Sequence, residues 1–134
     1  MTESESEKIV KEIFEAYNRR DIDFIINCFT DDLIFVLPSG ETIGKDGLPQ
    51  AYSMLFDVFQ DGKWSTPRVI SKGNVVAVEI LVEGTHKGEF LGIPATDKKI
   101  EIPAVWFIDF NEEGKIERVV DYWNERRFIA QVGE

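Results

Sequence analysis

The sequence holds one cysteine, Cys28, and one histidine, His86, in 134 residues. A single thiol excludes an internal disulfide, and Cys28 is read as a packing residue rather than a nucleophile or redox switch. One histidine excludes any multi-histidine metal site and any pair of histidines dividing acid and base roles. No uninterrupted apolar run exceeds five residues, LIFVL at 33–37 and AVWFI at 104–108, whereas a membrane helix needs about 20. Cations are in deficit: 15 Lys and Arg against 25 Asp and Glu leave a net charge of -10. That charge repels phosphate, and no basic groove interleaved with aromatics opposes it, so neither nucleic acid nor an anionic membrane is expected as a partner. The opening MTESESEK has neither a signal peptide's apolar stretch nor an arginine-rich transit pattern, so a cytoplasmic protein is expected.

Apolar residues at 43% and aromatics at 12% are enough for a folded core, and one domain over residues 1–134 is expected. Ser4 and Glu7 have capping-box spacing, after which Ile9, Val10, Ile13, Phe14 and Tyr17 recur at helical intervals. Asp21 can cap a second, shorter helix ending near Thr30, with Asp31 and Asp32 supplying turn chemistry. LIFVLP reads as a strand, and a third helix should start between Asp46 and Pro49, with Leu48, Tyr52, Leu55 and Phe59 on one face. The period then changes to two. Val76, Val78, Ile80 and Val82 share one strand face, and Ile100, Ile102, Ala104, Trp106, Ile108 and Phe110 another. NEEG at 111–114 supplies a hairpin turn before the returning strand KIERVVDYW, and ERRFIAQV is a short closing helix or tail. This order predicts an α+β fold in which a curved antiparallel sheet packs against three N-terminal helices as a cone open at one end, a natural ligand site.

Asp121 interrupts the last apolar strand. Alternation puts it on the face of Glu117, Val119 and Trp123. Lining the cone, it would be desolvated and its pKa raised, which prepares a carboxyl group for proton transfer near neutrality. Alternatively, it forms an ion pair with Arg118, Arg126 or Arg127, or sits on a solvated face. Phe14, Tyr17, Trp106 and Trp123 have faces converging on the cone and are candidate walls for a flat hydrophobic ligand; equally, they could fill it. No cluster of carboxylates suggests a metal, and neither metal nor cofactor is expected.

AYNRRDIDFIINCFTDDLIF, GTHKGEFLGIPATDKKIEIP and GKIERVVDYW followed by QVG together resemble the SnoaL-like polyketide cyclases of the nuclear transport factor 2-like superfamily, across the whole chain. The resemblance implies that Asp121 is the terminal-strand acid used as proton carrier. It also implies that Tyr52 is a helix-three tyrosine with its hydroxyl in the pocket; the alternative is a helix residue packing its ring in the core with the hydroxyl at the rim. His86, in GTHKG, matches a recurrent element that touches ligand, orients a loop or is simply structural. Ketosteroid isomerase chemistry is not expected, since Leu37, Ile13 and Trp106 stand where that enzyme's base, tyrosine and protonated acid would be. Epoxide hydrolysis is not expected either, because Glu79 and Glu83 come without an arginine. The resulting expectation is a cofactor-free acid–base enzyme, Asp121 and Tyr52 acting on a hydrophobic carbonyl compound held by Phe14, Tyr17, Leu37, His86, Trp106 and Trp123. The rival is a non-catalytic ligand-binding or assembly domain, and in both readings the resemblance implies a homodimer through the open sheet face.

Overall fold

Amphipathic periodicity produces four α-helices, three of them in the first 60 residues, and alternation one six-stranded sheet. The computed structural model describes residues 1–133. Helix α1 (Glu3–Arg19) buries Val10, Ile13, Phe14, Ala16 and Tyr17 on one stripe. Its capping box is Thr2 with Glu5, one register earlier than the expected Ser4 with Glu7: Thr2 accepts from the Glu5 N–H and Glu5 accepts from the Thr2 N–H. Both pairs have the same spacing, and no residue between them stops the helix from taking the earlier one. Asp21 caps α2 (Ile22–Asn27) by accepting from the Phe24 N–H at 3.1 Å.

Strand β1 (Phe29–Val36) begins earlier than expected. Asp31 and Asp32 therefore lie within the strand rather than in a turn, both exposed, Asp31 paired with Lys45 at 3.2 Å. After the short β2 (Thr42–Ile43) and a 3-10 turn at Lys45–Gly47, helix α3 (Leu48–Val58) buries Leu48, Tyr52, Phe56 and Val58. Then come β3 (Lys63–Lys72), β4 (Val75–Thr85), β5 (Lys99–Phe110), β6 (Ile116–Trp123) and α4 (Glu125–Val132). The spatial order is β2-β1-β6-β5-β4-β3. The sheet is antiparallel except where β1 runs parallel to β6, so first and last long strands are neighbours. Among the described residues no helix is long and apolar enough to cross a membrane.

Alternation on β4, β5 and β6 gives the sheet two unlike faces. Val78, Trp106 and Asp121 are successive cross-strand partners facing the helices, as are Val76, Ile108, Val119 and Phe35. One residue away, Ile70, Ala77, Phe107, Val120 and Val36 form an apolar row across five strands on the outer face.

Arg20 joins α1 to the sheet. It ends α1 in the left-handed conformation, φ 63°. From there its guanidinium donates to the carbonyls of Tyr17, Gln60 and Gly62 at 3.1, 2.8 and 3.0 Å while lying over the Phe56 and Trp64 rings. Among the described residues no acidic side chain takes part. A planar five-donor group is suited to this, and a lysine is not. Arg20→Lys is therefore expected to lose about 2 kcal/mol in urea denaturation, nearly as much as Arg20→Met; a lysine variant as stable as wild type would show that only the positive charge matters.

Candidate active site

Between the inner sheet face, α1 and α3 lies a cavity of about 480 Å³, open at one end. Phe14 and Tyr17 from α1, Tyr52 from α3, Leu37 after β1, Trp106 from β5 and Asp121 and Trp123 from β6 all line it. The two tryptophans stand in its wall and leave it open. Trp106 is fixed by Phe14 and Phe35, with ring centroids 4.9 and 5.2 Å away.

Asp121 faces inward because β6 pairs it with Trp106, on the helix-facing side where Val119 is fully buried. Its Oδ1 is buried with no hydrogen-bond partner. None of the ion pairs formed among the described residues involves it, and Arg118, Arg126 and Arg127 are exposed. Burial disfavours the charged form and pushes the carboxyl pKa from 3.8 up to about 7, against a weaker opposing pull from the indole N–H groups of Trp106 and Trp123. Neither indole makes a hydrogen bond of good geometry to the buried oxygen.

Tyr17 donates a hydrogen bond to the Tyr52 hydroxyl at 2.7 Å, and both are buried. With Tyr52 accepting there, its own proton is free to be donated elsewhere. Burial first, and the nearby Asp121 charge as well, hold both phenols well above their usual range, so each stays protonated. The sequence placed both residues on buried helical faces, but the bond between them spans 35 positions and has no local signature.

His86 is not part of the cavity lining. It is fully buried edge-on to Phe128 of α4, with Nδ1 3.0 Å from the Thr96 hydroxyl and Nε2 unpartnered. Its backbone accepts from Asp97 and donates to Lys98, which ties down the two ends of the 87–97 loop. The expectation of ligand contact is corrected accordingly: the ring faces the packing between this loop and α4.

The loop contributes residues that the sequence did not single out. Phe90 and Ile93 exchange backbone hydrogen bonds at 3.0 and 2.9 Å around Leu91 and Gly92, both at positive φ (52° and 76°). A leucine held left-handed and exposed in the cavity lining is a strained residue of the kind that collects at functional sites. Phe90 stacks toward Trp123 with centroids 6.2 Å apart. Glycine inside a tight two-residue hairpin was the available signal. Among the described residues no group of His, Cys, Asp and Glu is placed to hold a metal ion.

With this architecture in view, the chain belongs to the SnoaL-like polyketide cyclase family, whose model matches residues 7–132. No curated protein sequence matches it. Among solved structures it resembles AclR, a proposed hydroxylase from Streptomyces galilaeus (TM-score 0.88, 23% identity, 98% of each chain covered). It also resembles IdmH, a proposed polyketide cyclase from Streptomyces antibioticus (0.83, 20%, 96% of this chain and 99% of that one). A ketosteroid isomerase-like protein from Catenulispora acidiphila, in complex with trimethylamine, scores 0.78 at 18% identity over 93% and 92%. At these identities the likeness establishes a shared fold, the nuclear transport factor 2-like and ketosteroid isomerase-like architecture.

Because folded Asp121 keeps its proton where the unfolded chain has lost it, the contribution of Asp121 to stability falls as pH rises from 3.8 through about 7, then levels off. The cost at pH 8 is at most about 4 kcal/mol. Asp121→Asn removes it, so the melting-temperature difference between variant and wild type should move in the variant's favour between pH 4 and 8. A difference independent of pH would mean that the carboxyl titrates alike in both states.

Proposed function

We propose that this protein is a cofactor-free acid–base enzyme acting on a hydrophobic, carbonyl-bearing ring precursor, as a cyclase or isomerase would. The observation that carries the reading is the unpartnered Asp121 oxygen on the wall of an aromatic-lined cavity of about 480 Å³. A carboxyl group whose pKa lies at about 7 is present in both protonation states at neutral pH.

The chemistry follows from the positions. Asp121 as carboxylate takes a proton from a carbon next to a substrate carbonyl. The Tyr52 O–H, backed by Tyr17, donates to the enolate oxygen that develops. When the carbanion closes on a second carbonyl, a carbon–carbon bond forms and the new alkoxide recovers the proton from Asp121. Desolvation by the walls and positioning of the chain provide the rest of the rate enhancement.

A direct test needs no natural substrate. A naphthyl 1,3-diketone in D2O exchanges its central C–H, and wild-type protein should accelerate exchange with a rate that rises through about pH 7. Asp121→Asn should lose about 10²-fold or more, and Tyr52→Phe about tenfold. Exchange by Asp121→Asn at the wild-type rate, with probe still bound, would leave ligand binding as the function and remove the proton-transfer role.

We further infer a homodimer through the outer sheet face. Supporting it are the apolar row running through Ile70, Phe107 and Val120, and Tyr122 packed edge-on to Phe107; Phe107 and Tyr122 remain 48% and 57% exposed. Patches of this kind on a sheet face are interaction surfaces. Sedimentation should give a dimer for wild type and a folded monomer for Phe107→Glu, and a wild-type monomer at high concentration would reject the inference.

A further inference from the structure

The charge around the cavity is all of one sign. Among its lining side chains Glu41, Glu89, Glu125 and Asp121 are acidic, and none is lysine, arginine or histidine. Glu41, in the turn between β1 and β2, and Glu89, in the loop after β4, are exposed, while Glu125 in the first turn of α4 is half-buried. No ion pair formed among the described residues engages any of the three. Glu41 accepts a hydrogen bond from the Ser39 hydroxyl at 3.2 Å. Glu89 adjoins Phe90, Glu125 follows two residues after Trp123, and all four line the same cavity, Phe90 and Trp123 as a stacked pair.

Surface acids alone would mean only solubility. These surround an aromatic cavity with a second, independent polar feature inside it, the unpartnered Asp121 oxygen. Low-dielectric walls focus the field of charges at a mouth. An anionic ligand entering there loses hydration, meets like charge and finds no cation. A protonated amine exchanges its hydration for carboxylates and for the π faces beside them.

We propose that the cavity takes a hydrophobic ligand bearing a protonated amine, held at the mouth by Glu89, Glu125 and the Phe90–Trp123 pair, and rejects ligands bearing carboxylate or phosphate. This rests on the cavity being the ligand site but not on proton transfer by Asp121. Substrates carrying an amino sugar or a basic side chain fit that description.

Three probes of equal size test it by calorimetry: 2-naphthylmethylammonium, 2-naphthylmethanol and 2-naphthoate. At low salt the ammonium probe should bind about tenfold more tightly than the alcohol, and naphthoate about tenfold more weakly. The spread should narrow as salt is raised, and it should collapse in the Glu41→Gln/Glu89→Gln/Glu125→Gln variant while persisting in Asp121→Asn. The alcohol measured in each protein is the reference, so a general loss of affinity does not count as a change in selectivity. Naphthoate binding as tightly as the alcohol, or a spread that survives the triple substitution, overturns the proposal and leaves the ligand site standing. Failure of all three probes to bind overturns the proposal together with the ligand-site reading.

Discussion

An unpaired carboxyl oxygen buried against tryptophan is the constraint around which the rest of this molecule is arranged. A charge in such a place costs free energy unless it is paired, and here it is not. What holds Asp121 inward is register. Val119, on the same face, is fully buried, and β6 pairs Trp106 with Asp121 and Ile108 with Val119. A slip of one residue would turn Tyr122 inward and expose Val119 to water, so hydrophobic burial along the strand fixes the acid where electrostatics alone would expel it.

Elsewhere the scaffold is tied by side-chain hydrogen bonds, most of them to backbone. Arg20 gathers the carbonyls at the end of α3. Asn18 both donates to the Trp64 carbonyl and accepts from the Trp64 N–H, each at 2.8 Å, completing an irregular stretch of β3 as a neighbouring strand would. Asp61 accepts from the Thr85 hydroxyl and N–H at 2.7 and 2.8 Å, bonds that hold its carboxyl below the usual range. Asn18 ties α1 to the sheet, Asp61 ties the turn after α3 to the sheet, Arg20 ties α1 to that turn, and helices α1 and α3 carry the two tyrosines.

Strand alternation made much of this visible beforehand. It placed Trp106 on the buried face of β5 and Asp121 beside Val119 and Trp123, because period two survives wherever one face is dry. Strand β3 was not visible as a separate element: it is the sheet edge, its pairing shifts register between Ser65 and Arg68, and Pro67 lies in the break. The parallel contact between β1 and β6 was hidden for another reason, since a hydrophobic pattern carries no direction. Asp31 and Asp32 suggested a turn because aspartate favours turns, yet an exposed strand segment paired to Lys45 accommodates both. The burial of His86 under Phe128 depends on a long loop folding back on α4, a contact across 42 positions to which no local spacing corresponds.

The separation of roles inside the cavity follows from how one environment acts on two kinds of acid. Desolvation raises a carboxyl group and a phenol alike, but from different starting points. Asp121 is brought into the range where a proton moves freely at neutral pH, while Tyr17 and Tyr52 are carried further out of it. In the proposed mechanism the same apolar walls therefore supply one exchangeable proton and one permanent hydrogen-bond donor, the division of labour by which paired groups with diverging pKa values become carrier and stabiliser. Adding a cation near Asp121 would undo both effects at once, lowering the carboxyl pKa back toward its ordinary value and easing ionisation of the phenols. Under the proposed function, the lack of any basic side chain among the described residues of the cavity wall is thus a condition for the chemistry as well as a filter on what enters.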